Sequence, residues 1–139
     1  MKKRPKFSII IPTRKINHYI IGAERAYSEQ TYKNFEIIVL TEFDEKEKFP
    51  KTKIIKVGKI PPSEKRNVGV KNATGDIIAF IDDDAYPKND WLEKASKIFE
   101  DENISAVCGP GLIPKHATFF QEVSGNVYRL SSGKTGIRY

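Results

Sequence analysis

Along the chain, apolar positions gather into short unbroken runs set apart by polar stretches. Phe7-Ser-Ile-Ile-Ile11 is the first run, and Pro12 closes it. That predicts a strand ended by a residue with no ladder donor. Over residues 17–29 the spacing changes. Ile20, Ala23 and Tyr27 recur at intervals of three and four, which predicts a helix with one buried stripe, and Asn17 is its candidate N-cap. Phe35 to Leu40 is a second strand, Thr41 to Pro50 a polar loop, and Lys53 to Val57 a third, more exposed strand. Pro61-Pro62 interrupts regular structure, and Ser63 is placed to cap a helix over residues 64–73, with Gly75 beyond its end. Gly75 to Ile81 is a fourth strand. Past Pro87, Asn89 or Asp90 can cap a helix with Trp91, Ala95 and Ile98 on one side and Leu92 and Phe99 beside them. Ile104 to Cys108 is a fifth strand, followed by a turn at Gly109-Pro110-Gly111.

The expected order over residues 7–108 is therefore β-α-β-β-α-β-α-β. Continuous apolar strands alternating with helices predict an α/β fold: an open, mainly parallel sheet covered by helices on both faces. Ligands of such sheets bind outside the carboxyl ends of the strands. After Leu112 the pattern weakens. Phe119-Phe120 and Val127-Tyr128 suit strand or short helix, and the closing SSGKTGIRY is polar. Residues 1–139 are read as one domain, with 113–139 either a flap over the sheet or the start of a larger unit.

Composition narrows the chemistry. The chain has 139 residues, 39% hydrophobic and 30% charged, as expected for a globular protein. A single cysteine, Cys108, and two histidines, His18 and His116, exclude an internal disulfide and a cysteine zinc cluster. A metal would be held by oxygen, which favours magnesium or manganese. The net charge is +6, with Lys2, Lys3, Arg4 and Lys6 at the start and more bases between Lys46 and Lys65. Such a balance suits phosphate or an anionic membrane surface. No basic-aromatic stacking pattern points to nucleic acid. No run approaches the length of a membrane span. The expectation is a cytoplasmic protein, with peripheral contact at the inner membrane face open to it.

The fourth strand runs straight into Asp82, Asp83 and Asp84. On extended backbone, Asp82 and Asp84 would face one side and Asp83 the other. Two carboxylates on one side suit Mg²⁺, which fills its other positions with water and phosphate oxygens. The competing reading is a solvated acidic turn.

Taken with its surroundings, this segment resembles the inverting family-2 glycosyltransferases of the GT-A fold. FSIIIPTRK is similar to that family's first strand and nucleotide-facing turn. SEKRNVGVKNATGDIIAFIDDDAYP is similar to its central signature: a basic residue, Arg-Asn-x-Gly, a helix, Gly-Asp, an apolar strand and Asp-x-Asp. The resemblance extends over residues 7 to about 112. It implies a nucleotide-diphosphate sugar as donor, UDP- or GDP-linked, and Mn²⁺ or Mg²⁺ as cofactor. It implies Asp84 as the direct metal ligand, with Asp82 beside it near ribose or sugar and Asp83 at the variable middle position. Pro12, Thr13 and Arg14 would line base and ribose, and Arg66 would sit by the nucleotide. Lys65 would add positive charge for the diphosphate, and Asn67 and Gly69 would shape the helix start.

Two departures stand out. The family's second strand ends in an acidic pair whose first member grips uracil. Here Thr41 and Glu42 occupy those places, so a preference for uridine does not follow. Inverting transfer also needs a general base for the acceptor hydroxyl. The only acid after Gly109 is Glu122, which comes early for that role, so no catalytic residue is assigned. The resemblance then implies a donor-binding part, with the acceptor half supplied by missing sequence or a second chain. A binding-only nucleotide module is the alternative. A Mg²⁺-dependent phosphatase-like enzyme is the lesser one, since the first strand ends in Pro-Thr-Arg rather than in a nucleophilic acid pair.

Overall fold

The computed structural model describes residues 4–109, 111–113 and 117–135, the last eight of these in backbone only. Two compact units divide the chain, residues 1–102 and residues 103–139. The first unit holds β1 (Phe7–Pro12), α1 (His18–Ser28), β2 (Phe35–Thr41), β3 (Thr52–Lys56), α2 (Pro62–Asn72), β4 (Ile77–Phe80) and α3 (Trp91–Ile98). The four strands form one sheet in the order β3-β2-β1-β4, and every pairing is parallel. The fold is an α/β fold with helices flanking a central parallel sheet, as the pattern predicts.

Burial on both faces explains the unbroken apolar runs. Ile9 and Ile11 of β1 join Ile37 and Val39 of β2, Ile20, Ala23 and Tyr27 of α1, and Leu92 of α3 in one core. Ile10, Ile38 and Leu40 point the other way and pack with Val68 of α2 and Ile55. A strand alternates its side chains between faces, so two cores demand two apolar sets from the same residues. Gly69 lets α2 lie close: a methyl there would come within 2.5 Å of Ile10 Cγ2.

The helix caps follow local chemistry. Asn17 is extended, and its Oδ1 accepts from the Tyr19 and Ile20 N–H groups at 3.0 Å each. Three expectations are corrected. Helix α2 begins at Pro62, with Pro61 rather than Ser63 as its N-cap. Proline's fixed φ suits the first helical position, where its missing N–H costs nothing. In α3 the buried residues are Leu92 and Ser96; Trp91 and Ala95 are half-buried against the first core, and Ile98 is exposed. Finally, Ile104 to Cys108 forms no strand. It belongs to the second unit and is largely exposed, and a short apolar run becomes a strand only where a neighbouring edge accepts its ladder. The second unit's regular element is α4 (Phe119–Thr135), so Phe119-Phe120 and the region of Val127 are helical. Among the described residues, no helix is long and apolar enough to cross a membrane.

Candidate functional site

In the order β3-β2-β1-β4, the chain leaves β1 toward β2 on one side and reaches β4 on the other. The strand order therefore reverses between β1 and β4, and the crevice at their carboxyl ends is where such sheets place ligands. Two turns meet there: Pro12–Thr13–Arg14 after β1 and Asp82–Asp83–Asp84 after β4.

The β1 turn is bound tightly to its neighbours. Pro12 is buried as the last residue of β1, and Thr13 is 5% exposed. The Thr13 N–H donates to the Leu40 carbonyl and the Glu42 N–H to the Arg14 carbonyl, both at 2.9 Å. From below, Lys65 of α2 sends its ammonium to the Thr13 carbonyl at 2.7 Å and to Glu42 Oε1 at 3.2 Å. Lys65 is only 4% exposed. Its charge is committed to the turn's scaffold, which corrects its expected role as an open counter-charge for phosphate. Arg14 extends outward, its side chain 77% exposed, with Nε 3.7 Å from Glu42 Oε2. Arg14, Glu42, Phe43 and Lys59 line an open recess beside the turn.

Thr41 is placed differently from the expectation. It is fully buried, and its hydroxyl turns inward, donating to the Phe43 carbonyl at 2.9 Å. No side-chain atom of Thr41 is presented to a base. Glu42 is the acid that β2 brings to the recess.

The three acids have three environments. β4 ends at Phe80, and the acids sit on a turn closed by the Ala85 N–H donating to the Asp82 carbonyl at 3.2 Å. The backbone is thus not extended there, yet exposure still alternates: Asp82 and Asp84 are exposed and Asp83 is half-buried. Asp82 Oδ1 accepts from Arg66 at 2.9 Å. Asp83 Oδ2 faces the Thr13 hydroxyl at 2.6 Å and the Asn17 side-chain amide at 2.8 Å. Asp84 has no side-chain partner among the described residues. The structure thus gathers Pro12, Thr13, Arg14, Glu42, Arg66, Asp82, Asp83 and Asp84 around one end of the sheet, and turns Thr41 away.

The donor set for a metal consists of carboxylate oxygen, which suits a hard cation that keeps water and phosphate among its ligands. Among the described residues, no three His, Cys, Asp or Glu side chains converge as a complete metal cage. In their chemistry, the two exposed acids Asp82 and Asp84 suit a hard cation that completes its shell with water or phosphate oxygens. Asn67 lies exposed on α2, and His18 is a surface residue stacked on Tyr19. His116 lies outside the described residues. A separate cavity of about 120 Å³, lined by Ile20, Tyr27, Phe35, Ile37 and Phe49 among others, contains none of the predicted site residues.

Phe43, Lys59, Asn17 and the buried Lys65 also belong to this end of the sheet, where the motifs alone do not place them. Lys65 and Gly69 are four apart on α2 and share its buried face. That spacing is the signal for Lys65. Asn17 was legible only as a cap.

Comparison with known proteins agrees with the geometry. The model of glycosyl transferase family 2 matches residues 8–135. An uncharacterized glycosyltransferase of Rickettsia conorii is 34% identical over 107 residues, covering 70% of this chain and 18% of that protein. The poly(ribitol-phosphate) β-N-acetylglucosaminyltransferase TarS of Staphylococcus aureus is 30% identical over 115 residues, covering 73% of this chain and 20% of that protein. This chain therefore spans about a fifth of the length of either relative. Among solved structures, a mannosyltransferase of Pyrobaculum calidifontis in complex with GDP-Man and Mn²⁺ superposes with a TM-score of 0.65 at 24% identity, over 77% of this chain and 36% of that one. The TarS 1–349 structure in complex with UDP-GlcNAc gives 0.62 at 21% identity, over 80% and 38%.

Proposed function

Since the chain belongs to glycosyl transferase family 2, we propose that its β1 and β4 turns bind a nucleotide-diphosphate sugar for inverting transfer to an acceptor hydroxyl. The observation that carries this reading is the division of labour among the three acids. Asp82 and Asp83 are each engaged by protein side chains, whereas Asp84 is exposed and, among the described residues, uncommitted at the point where the strand order reverses. A carboxylate left uncommitted at that point is placed for a ligand-borne cation.

Asp84, with Asp82 beside it, would hold Mn²⁺ or Mg²⁺ against the diphosphate. When bound, the ion supplies charge neutralisation for the departing nucleotide diphosphate. Arg66, on α2 and paired with Asp82, holds a guanidinium at the same edge, where phosphate oxygens can share it. The recess formed by Arg14, Glu42, Phe43 and Lys59 offers base and ribose a half-exposed ring, a carboxylate and two cations. Glu42, fixed from below by Lys65, takes the hydrogen-bonding role that Thr41 cannot. UDP and GDP are both compatible with this set. Residues 1–139 act in this reading as the donor-binding domain, and no residue in them is assigned as general base. The basic surface suits a cytoplasmic protein working beside an anionic inner membrane face.

Titration calorimetry of the chain with UDP and with GDP, in Mn²⁺ and in EDTA, tests the reading. Binding of at least one nucleotide should depend on Mn²⁺ and fall in Asp84→Ala. Metal-independent binding that Asp84→Ala leaves unchanged would remove the acids from the site. Transfer by a longer version of the chain that carries an acceptor half would separate this reading from the binding-only alternative.

A further inference from the structure

We propose that Asp83, the middle acid, is a positioning residue that fixes the direction in which Asp84 and Asp82 point. The inference rests on the nucleotide reading above. Its basis is that Asp83 joins three elements through one oxygen. Oδ2 takes the Thr13 hydroxyl of the β1 turn at 2.6 Å and the Asn17 amide at the start of α1 at 2.8 Å. The other end of the Asn17 amide, Oδ1, caps α1 through Tyr19 and Ile20. One asparagine therefore registers the acid turn against the helix start.

The segment after the acids is held along the same helix. Tyr86 lies over Gly22, where an added methyl would meet its hydroxyl at 3.1 Å. The Gln30 amide donates to the Lys88 carbonyl at 2.8 Å, and the Thr31 N–H donates to the Asn89 carbonyl at 2.8 Å. The loop is tied near the C-terminal end of α1 by Gln30 and Thr31, and at the N-terminal end by Asp83 alone among the acids. Neighbouring Cα atoms are about 3.8 Å apart, so pinning Asp83 restricts both flanking acids. Outer contacts of this kind decide whether a metal-facing carboxylate is already aimed before the ion arrives.

The test uses Asn17→Asp, Asp83→Asn and the two changes combined. Aspartate at position 17 keeps a capping oxygen but loses the donor and faces Asp83 with a like charge. The double change reverses the pair: an amide at position 83 donates to a carboxylate at position 17. The Thr13 hydroxyl can then accept from that amide and donate to the Lys15 carbonyl, which already lies 2.9 Å away. Uptake of Mn²⁺ in the presence of UDP or GDP is followed by loss of the free-ion EPR signal, and melting in EDTA without nucleotide reports the fold. Asn17→Asp should weaken Mn²⁺ uptake roughly tenfold or more, with substantial recovery in the double change, whereas Asp83→Asn keeps an amide oxygen that accepts from Thr13 and Asn17 and serves as the control for charge. Wild-type uptake in folded Asn17→Asp would overturn the positioning role and leave the nucleotide reading standing. Uptake lost in Asp83→Asn and not recovered in the double would also overturn it, because Asp83 would then act through its charge and not through this contact. Absence of Mn²⁺ uptake by the wild type with either nucleotide would defeat the nucleotide reading and this proposal together. Should a single variant fail to fold, Asn17→Ser, which caps without reaching Asp83, replaces it under the same criteria.

Discussion

Lys65→Met should be among the most destabilising single changes at this end of the sheet. The substitution keeps the length and apolar stem of a side chain that is 4% exposed, so packing changes little. What it removes is the ammonium that donates to the Thr13 carbonyl at 2.7 Å and to Glu42 Oε1 at 3.2 Å. Deleting one member of a buried ion pair typically costs about 3–5 kcal/mol, because the other charge is left buried and unpaired. Here the Glu42 side chain retains 15% exposure and keeps Arg14 at 3.7 Å, so solvent and a second cation soften the loss. The low end, about 3 kcal/mol, is the expected cost. A second change isolates the cause. In Lys65→Met with Glu42→Gln the stranded charge is gone, and the combined loss should be smaller than the sum of the separate losses by roughly 1 kcal/mol or more. Urea unfolding at neutral pH measures both, with an unchanged m-value as the check that the folded and unfolded states are comparable. A loss under about 1 kcal/mol for Lys65→Met, within the range of exposed ion pairs, would refute the claim that this lysine clamps the β1 turn.

Gly69→Ala should cost about 1–3 kcal/mol by urea unfolding, since the new methyl would lie 2.5 Å from Ile10 Cγ2 in a packed core. Stability should also fall steeply in acid through Glu36. Burial alone would raise this carboxyl, yet donors from Ser8, Thr74 and Lys6 hold it down at about 2, against an ordinary 4.5. Its contribution is thus complete above about 4.5 and is lost as the pH falls toward 2. Unfolding measured at pH 7 and pH 3 should show a smaller acid loss in Glu36→Gln than in wild type; equal losses would assign the acid sensitivity elsewhere. The 139-residue chain should bind donor with little or no glycosyl transfer, because the one acid after Gly109, Glu122, comes early for a general base. A transfer assay over a panel of nucleotide sugars and acceptors, run on this chain and on any longer version, checks this; rapid transfer by the short chain would contradict it.

The parts of the fold that were legible are those where one local signal suffices. β1 and β2 announced themselves because both faces of each are buried, so polar interruptions are few. α1 was legible from Asn17 and the spacing of Ile20, Ala23 and Tyr27, a cap and a stripe in agreement. Ile104 to Cys108 has the composition of a strand, but its ladder partner is a property of the rest of the molecule and not of those residues. At the site, the same-side spacing of Asp82 and Asp84 presumes extended backbone, whereas the acids sit on a turn that leaves Asp82 and Asp84 exposed and Asp83 half-buried. The burial of Lys65 was hidden by its neighbours: within Glu-Lys-Arg-Asn every residue reads as solvated, and only the α2 face shared with Gly69 reveals otherwise. Thr41 could not be placed from sequence either, because a strand-end hydroxyl is equally suited to a ligand and to the carbonyl of Phe43, which it serves.

In the proposed function, the acids after β4 hold a divalent ion against a nucleotide diphosphate. The most direct measurement is a crystal of this chain grown with Mn²⁺ and GDP or UDP, with data collected for the anomalous signal of manganese. One strong anomalous peak is expected at bonding distance from an Asp84 carboxylate oxygen, with diphosphate oxygens on its other side and the base beside Arg14 and Phe43. Nucleotide bound there with manganese absent from Asp84, or manganese and nucleotide on another face of the sheet, would contradict it.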